Sequence, residues 1–133
     1  MSSVNTASKF SAPGSVALVT GANRGIGRAF ARELIERGAA KVYGGARNLD
    51  RLDVPGVVPI RLDITDPAQV AAAADQCTDL TLLVNNAGIF RASPLLGNPS
   101  AQDARDEMET NFFGTLSVIR AFARFWDATA AGL

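Results

Sequence analysis

The sequence predicts a doubly wound α/β fold, a parallel sheet with helices on both faces and the strand order 3-2-1-4. Three observations carry the prediction. Short apolar runs rich in β-branched residues alternate with segments of helical period, a glycine-rich turn joins the first run to the first helix, and Pro59 stands inside the third run. Strands alternating with helices imply right-handed crossovers, and a proline without an amide hydrogen sends its strand to the sheet edge.

Val16–Thr20 (VALVT) reads as a strand buried on both faces. After GANRGIG, Ile26, Ala29, Phe30 and Leu34 recur at helical spacing, and Gly38 stands where a helix end favours positive φ. Lys41–Ala46 (KVYGGA) is a second strand, weakened by two glycines, with Arg47 at its carboxyl end. Residues 57–62 (VVPIRL) form the third strand. Asp66 then caps a helix with Pro67 at its first position and Gln69 three residues after the cap, and Val70, Ala73, Ala74 and Cys77 share its apolar face. Residues 80–84 (LTLLV) make a fourth buried strand, ended by NNAG. A loop over 89–99 follows, and Met108, Phe112, Leu116, Ile119, Ala123 and Trp126 mark the stripe of a long amphipathic helix. In this order the crevice where ligands bind lies between the first and fourth strands.

The chain has 133 residues, 47% hydrophobic and 20% charged, which suits one domain: residues 1–15 read as a flexible leader and 16–133 as the folded unit. Lys plus Arg and Asp plus Glu each total 13, so no strong field draws the chain to nucleic acid or acidic lipid. The absence of His and the single Cys77 argue against a metal site, a Ser-His-Asp triad and an internal disulfide. No apolar run reaches the roughly 18–20 residues of a membrane span, and the leader lacks a secretory apolar stretch, so the expected location is the cytoplasm. No solenoid-type repeat occurs.

The residues that carry chemistry begin at the glycine turn, Thr20, Gly21, Ala22, Asn23, Arg24, Gly25, Ile26 and Gly27. Glycines there close a tight turn, let backbone amides approach a pyrophosphate and bring the helix close to the sheet, while the helix N-terminus faces the anion. The spacing T-G-x-x-x-G-x-G, followed in order by Asp63-Ile64-Thr65, by Asn85-Asn86-Ala87-Gly88 and by Asn111, resembles the short-chain dehydrogenase/reductase family from about Val16 to about Arg124. The resemblance implies a Rossmann-like domain in which Asp63 and Ile64 contact adenine, the Asn85 to Gly88 segment lines the nicotinamide side, and Asn111 is the active-site asparagine. Each residue also has a plainer reading: Asp63 suits a turn cap, NNAG suits a strand-ending turn, and Gly114 suits close packing. Asn111, with poor helix propensity, needs partners for its amide.

About twenty residues past the last glycine, an acid selects NAD and an arginine accommodates a 2′-phosphate. Here that residue is Arg47, with Arg24 in the glycine turn as a second cation, whereas Asp50 lies too far past the strand. The expected cofactor is NADP(H) in preference to NAD(H); the alternative is two solvated arginines.

Members of the family are about twice as long and use a Ser and a Tyr-x-x-x-Lys pair that are not identifiable here. Tyr43, the sole tyrosine, lies on a strand and reads as a packing residue, and Lys9 and Lys41 are not placed to tune a catalytic tyrosine. The chain therefore reads as truncated after the fourth strand and long helix, with an unpaired strand edge, an exposed apolar stripe and dimerisation through that helix as the expectation. Residues 90–99 are placed to rim a pocket for a small carbonyl or alcohol substrate, which the missing half must complete. Two functions are in view: an NADP(H)-dependent oxidoreductase by descent, and a non-catalytic NADP(H)-binding or interaction module. A third, methyl transfer on a similar fold, is disfavoured by Arg47 together with the NNAG segment.

Overall fold

A computed structural model describes residues 11–96 and 101–126. Four strands, β1 (Val16–Thr20), β2 (Lys41–Ala46), β3 (Val57–Arg61) and β4 (Leu82–Val84), form a parallel sheet in the order β3-β2-β1-β4. Val16 pairs with Lys41, Ala17 with Leu82 and Val42 with Val57. Pro59 lies on β3 at the sheet edge, opposite Gly44.

The strand pleat splits the core in two. Ala17, Val19 and Val42 meet Ala31 and Leu34 of α1 (Gly25–Glu36) on one face. Leu18, Tyr43 and Ile60 meet Val70, Ala73 and Ala74 of α2 (Pro67–Gln76) on the other, together with Val118 and Phe122 of a later helix. Helix α1 stops where Gly38 takes φ +86°. The Gly38 N–H bonds Ile35 O and the Ala39 N–H bonds Leu34 O, which satisfies the last carbonyls.

Several sequence expectations need correction. In α1, Ile26, Ala29 and Phe30 face solvent; the helix lays its small residues, Gly27 and Ala31, against the sheet and anchors there with Leu34. Strand β4 is shorter than 80–84, because the Thr81 hydroxyl and N–H engage the Val16 backbone before the ladder starts, and it is half-buried because it lies at the sheet edge. Asp66 caps α2 through Ala68 N (3.0 Å) and Gln69 N (3.4 Å), but Gln69 does not close a capping box. Its Oε1 accepts the Asp63 N–H at 2.8 Å instead, while the Asp66 N–H bonds Asp63 O.

The long helix is three pieces: α3 (Ala101–Glu107), a π-helical segment (Met108–Gly114) and α4 (Thr115–Phe122), which runs into a short 3-10 turn (Ala123–Phe125). The wider π turn shifts the helical phase. Gly114, Val118 and Phe122 become the buried positions, and Met108, Phe112, Ile119 and Trp126 stay exposed, as an exposed apolar stripe requires. Gly114 packs closely, since a Cβ there would stand 2.9 Å from Ile64 Cγ1. Of the leader, residues 1–10 lie outside the described residues. Ala12 and Ser15 are buried and the Gly14 N–H bonds Gly38 O, so the packed chain begins before β1.

Candidate cofactor cleft

The carboxyl ends of β1, β2 and β4 and the loop after β3 open into one cleft of about 880 Å³. Its floor is the glycine turn. Gly21 and Gly25 take φ +67° and +57°, which glycine adopts without steric cost. Arg24 is the N-cap of α1, with extended backbone and no side-chain cap, so the first amides of the helix are left for an anion.

Two expected site residues shape this floor from beneath. Thr20 is buried, and its Oγ1 accepts N–H groups of both Asn86 and Ala87 at 2.9 Å. Asn86 Nδ2 donates back to Thr20 O at 3.1 Å and Gly21 O at 3.3 Å, tying the ends of β1 and β4 together. Gly27 is also buried, and a Cβ on it would stand 2.2 Å from Gly21 O.

The other expected residues line the cleft. Gly21, Asn23, Arg24, Gly25 and Ile26 come from the turn, Arg47 from the end of β2, and Asp63 and Ile64 from the end of β3. Asn86, Ala87 and Gly88 follow β4, and Asn85 borders an adjoining hollow shared with Asn111. Asp63 Oδ1 accepts the Thr65 hydroxyl at 2.7 Å and the Thr65 N–H at 2.9 Å. The Thr65 hydroxyl, with the Thr65 N–H and the nearby charge of Arg47 adding to it, holds the Asp63 carboxyl below the ordinary carboxylate range despite partial burial. Asp63 is thus both a turn cap and an ionised wall of the cleft.

Asn111 lies in the π-helical segment, and its amide is used in both directions: Oδ1 accepts the Ile89 N–H and Nδ2 donates to Ile89 O, each at 2.8 Å. This clamp fixes the chain leaving β4, and Glu107 extends it by accepting the Arg91 N–H. A Cβ on Gly88 would approach Asn111 Oδ1 to 3.0 Å.

Tyr43 is elsewhere. Its hydroxyl donates to Asp79 Oδ1 at 2.8 Å and accepts from Lys41 Nζ at 3.1 Å, at the amino end of the sheet. Burial first, and then Asp79, raises its pKa. It is a packing residue with a satisfied hydroxyl.

Asn48, Arg51, Asp106, Glu109 and Thr110, which the sequence motifs do not mark, also line the cleft, as does Arg91 from the segment expected to rim a pocket. Backbone amides at a glycine turn, two arginines at the end of β2 and the start of α1, and an ionised Asp63 fit a phosphorylated dinucleotide. No group of three or more metal-ligating side chains occurs among the described residues.

The family model described as short chain dehydrogenase matches residues 15–133. Among curated proteins, the chain is 39% identical over 122 residues to the 3-oxoacyl-acyl-carrier-protein reductase FabG of Salmonella typhimurium, covering 84% of this chain and 49% of that one. It is 35% identical over 123 residues to the short chain dehydrogenase tazN of Aspergillus terreus, covering 82% of this chain and 27% of the other. Among solved structures, a short chain dehydrogenase from Burkholderia cenocepacia in complex with NADP superposes with a TM-score of 0.83 at 48% identity, over 87% of this chain and 50% of that one. The chain spans about half the length, or less, of the curated relatives it matches first.

Proposed function

The chain belongs to the short-chain dehydrogenase family, and from that premise we propose that it forms the NADP(H)-binding part of an oxidoreductase acting between a nicotinamide and a small carbonyl or alcohol substrate. The observation that carries the cofactor preference is the pair Arg24 and Arg47. Both line the cleft, and neither guanidinium has a hydrogen-bonded or ion-paired partner among the described residues. The likeness to a dehydrogenase solved with NADP supports the same choice.

In this reading the amides of Gly21, Asn23, Gly25 and Ile26 cradle the pyrophosphate, and Thr20 and Gly27 hold that turn in shape. Arg24 and Arg47 grip the 2′-phosphate through charge-assisted hydrogen bonds. Asp63 and Ile64 border the adenine, and Asn85, Asn86, Ala87 and Gly88 the nicotinamide. Asn111 keeps the Ile89 backbone in place beside the reacting end. The nicotinamide supplies the hydride when bound. The acid that protonates the substrate oxygen is not Tyr43, whose hydroxyl is engaged by Asp79 and Lys41.

The second reading is a non-catalytic NADP(H)-binding module. Self-association through the exposed face of Met108, Phe112, Phe113 and Ile119 belongs to both readings, as does a cytoplasmic location. No helix among the described residues is long and apolar enough to cross a membrane. The test is fluorescence titration of wild type and Arg47→Asp with NADPH and NADH, followed by NADPH oxidation with a panel of ketones and aldehydes. Loss of the NADPH preference in the variant supports the assignment, and unchanged relative affinities refute it. NADPH oxidation by the chain alone excludes the module, whereas binding without oxidation is expected of both readings.

A further inference from the structure

After β2 the chain turns through Arg47 and Asn48 into a three-residue 3-10 turn, Leu49–Arg51, that is fixed at both ends. Asn48 Oδ1 accepts the Asp50 N–H at 3.0 Å, and the Leu52 N–H bonds Leu49 O at 3.0 Å. The Leu52 side chain packs into the core beneath α1, beside Gly44. Held in this way, Arg51 reaches the same cleft as Arg24, Arg47 and Asn48, while Asp50, the acid within the turn, does not line it. With Asn48 Oδ1 committed to the cap, its Nδ2 remains as a donor.

The charges lining the cleft show what Arg51 adds. Arg91 and Asp106 approach each other at 3.8 Å and cancel. Arg24 and Arg47 are matched in number by Asp63 and Glu109, which line the same cleft. Arg51, with no hydrogen-bonded or ion-paired partner for its guanidinium among the described residues, is the charge that leaves the cleft net positive. A 2′-phosphate brings close to two negative charges, so a balanced site gives it little net attraction.

We infer that Arg51, positioned by the Asn48-capped turn and the Leu52 anchor, is a third cation for the ribose 2′-phosphate, so that residues 47–52 act as one selectivity turn. The inference rests on the NADP(H) reading above and adds to it a determinant from outside the end of β2. Arg51 is exposed, so its contribution falls as salt rises.

The test is titration of wild type, Arg51→Gln, Arg51→Lys and Arg47→Asp with NADPH and NADH at low and high salt. Adenosine 2′,5′-bisphosphate and adenosine 5′-monophosphate serve as fragment probes. Arg51→Gln is expected to weaken NADPH and the bisphosphate by about three- to tenfold at low salt, with NADH and the monophosphate changed by less than about twofold. Lysine is expected to restore part of the loss, and the salt dependence of NADPH binding is expected to flatten in the glutamine variant. An unchanged NADPH-to-NADH ratio in Arg51→Gln, alongside a collapsed ratio in Arg47→Asp, overturns the inference and leaves the cofactor reading standing. Equal weakening of all four ligands assigns Arg51 a structural role and also overturns it. A wild type that does not prefer NADPH overturns both.

Discussion

Replacing Gly27 with alanine puts a methyl group where α1 passes the glycine turn. An ideal Cβ there lies 2.2 Å from Gly21 O, 2.4 Å from Asn86 Nδ2 and 2.9 Å from the Gly21 carbonyl carbon. Two of the three are backbone atoms, so no side-chain rotation relieves the contacts. Forcing the helix back costs about 1–3 kcal/mol in overpacking strain. Displacing the Asn86 amide from Thr20 O and Gly21 O removes about 0.5–1.5 kcal/mol for each bond lost. Against this, alanine returns up to about 1 kcal/mol of helix propensity. The clash wins, leaving a net loss of roughly 1–5 kcal/mol, which for a chain of this size lowers Tm by about 4–18 °C. Gly25→Ala is the control: nothing lies within 4 Å of its Cβ, and it carries only the strain of φ +57°. That strain costs about 1 kcal/mol. Thermal melting followed by circular dichroism, with NADPH titration beside it, reads both variants. A Gly27→Ala protein that melts within about 2 °C of wild type and binds NADPH equally well would refute the claim that close approach at this point builds the cleft.

Asp66→Ala removes the oxygen that accepts the Ala68 and Gln69 N–H groups, and chemical denaturation is expected to show a loss of about 1 kcal/mol. Asn111→Ala frees the Ile89 backbone, so hydrogen exchange at the Ile89 amide is expected to accelerate at least about tenfold with little change in global melting; unchanged protection would show that the clamp is dispensable. The Lys41–Tyr43–Asp79 cluster gives a pH dependence with two limbs. Lys41 and then Tyr43 hold the Asp79 carboxyl below its ordinary range, so its stabilisation is present above about pH 4 and is lost as pH falls through the lowered value. Asp79 and then Tyr43 raise the Lys41 pKa, and burial and then Asp79 raise that of Tyr43, so their stabilisation is present below about pH 10 and is lost as pH rises through the raised values. Asp79→Asn is expected to flatten both limbs of Tm against pH, and an unaltered profile would remove the cluster from the account.

The parts of the fold that local chemistry decides were legible in the sequence. β1 and β2 run over the residues their apolar patterns mark, Pro59 lies on the edge strand as its missing N–H requires, and Gly38 ends α1. What escaped was set by tertiary packing. The apolar period of α1 points through Ile26 and Phe30, yet the sheet is met by Gly27 and Ala31, because close approach to the glycine turn admits only small residues. A seven-residue π segment resets the phase of the long helix, and a 3.6-residue pattern cannot register that change. Within the cleft, the glycine turn and Arg47 could be read from type and spacing, and Asp63 and the Asn86 to Gly88 segment from the family resemblance. Asn48 and Arg51 could not, since a three-residue turn has no period and its aim depends on where Leu52 finds room beneath α1.

Calorimetric titration of the wild-type chain with NADPH and NADH, in one buffer at low salt, reads whether the cleft selects the phosphorylated nicotinamide dinucleotide. Saturable one-to-one binding is expected, with NADPH at least about tenfold tighter, equivalent to about 1.4 kcal/mol. Equal affinities, or tighter binding of NADH, would contradict it.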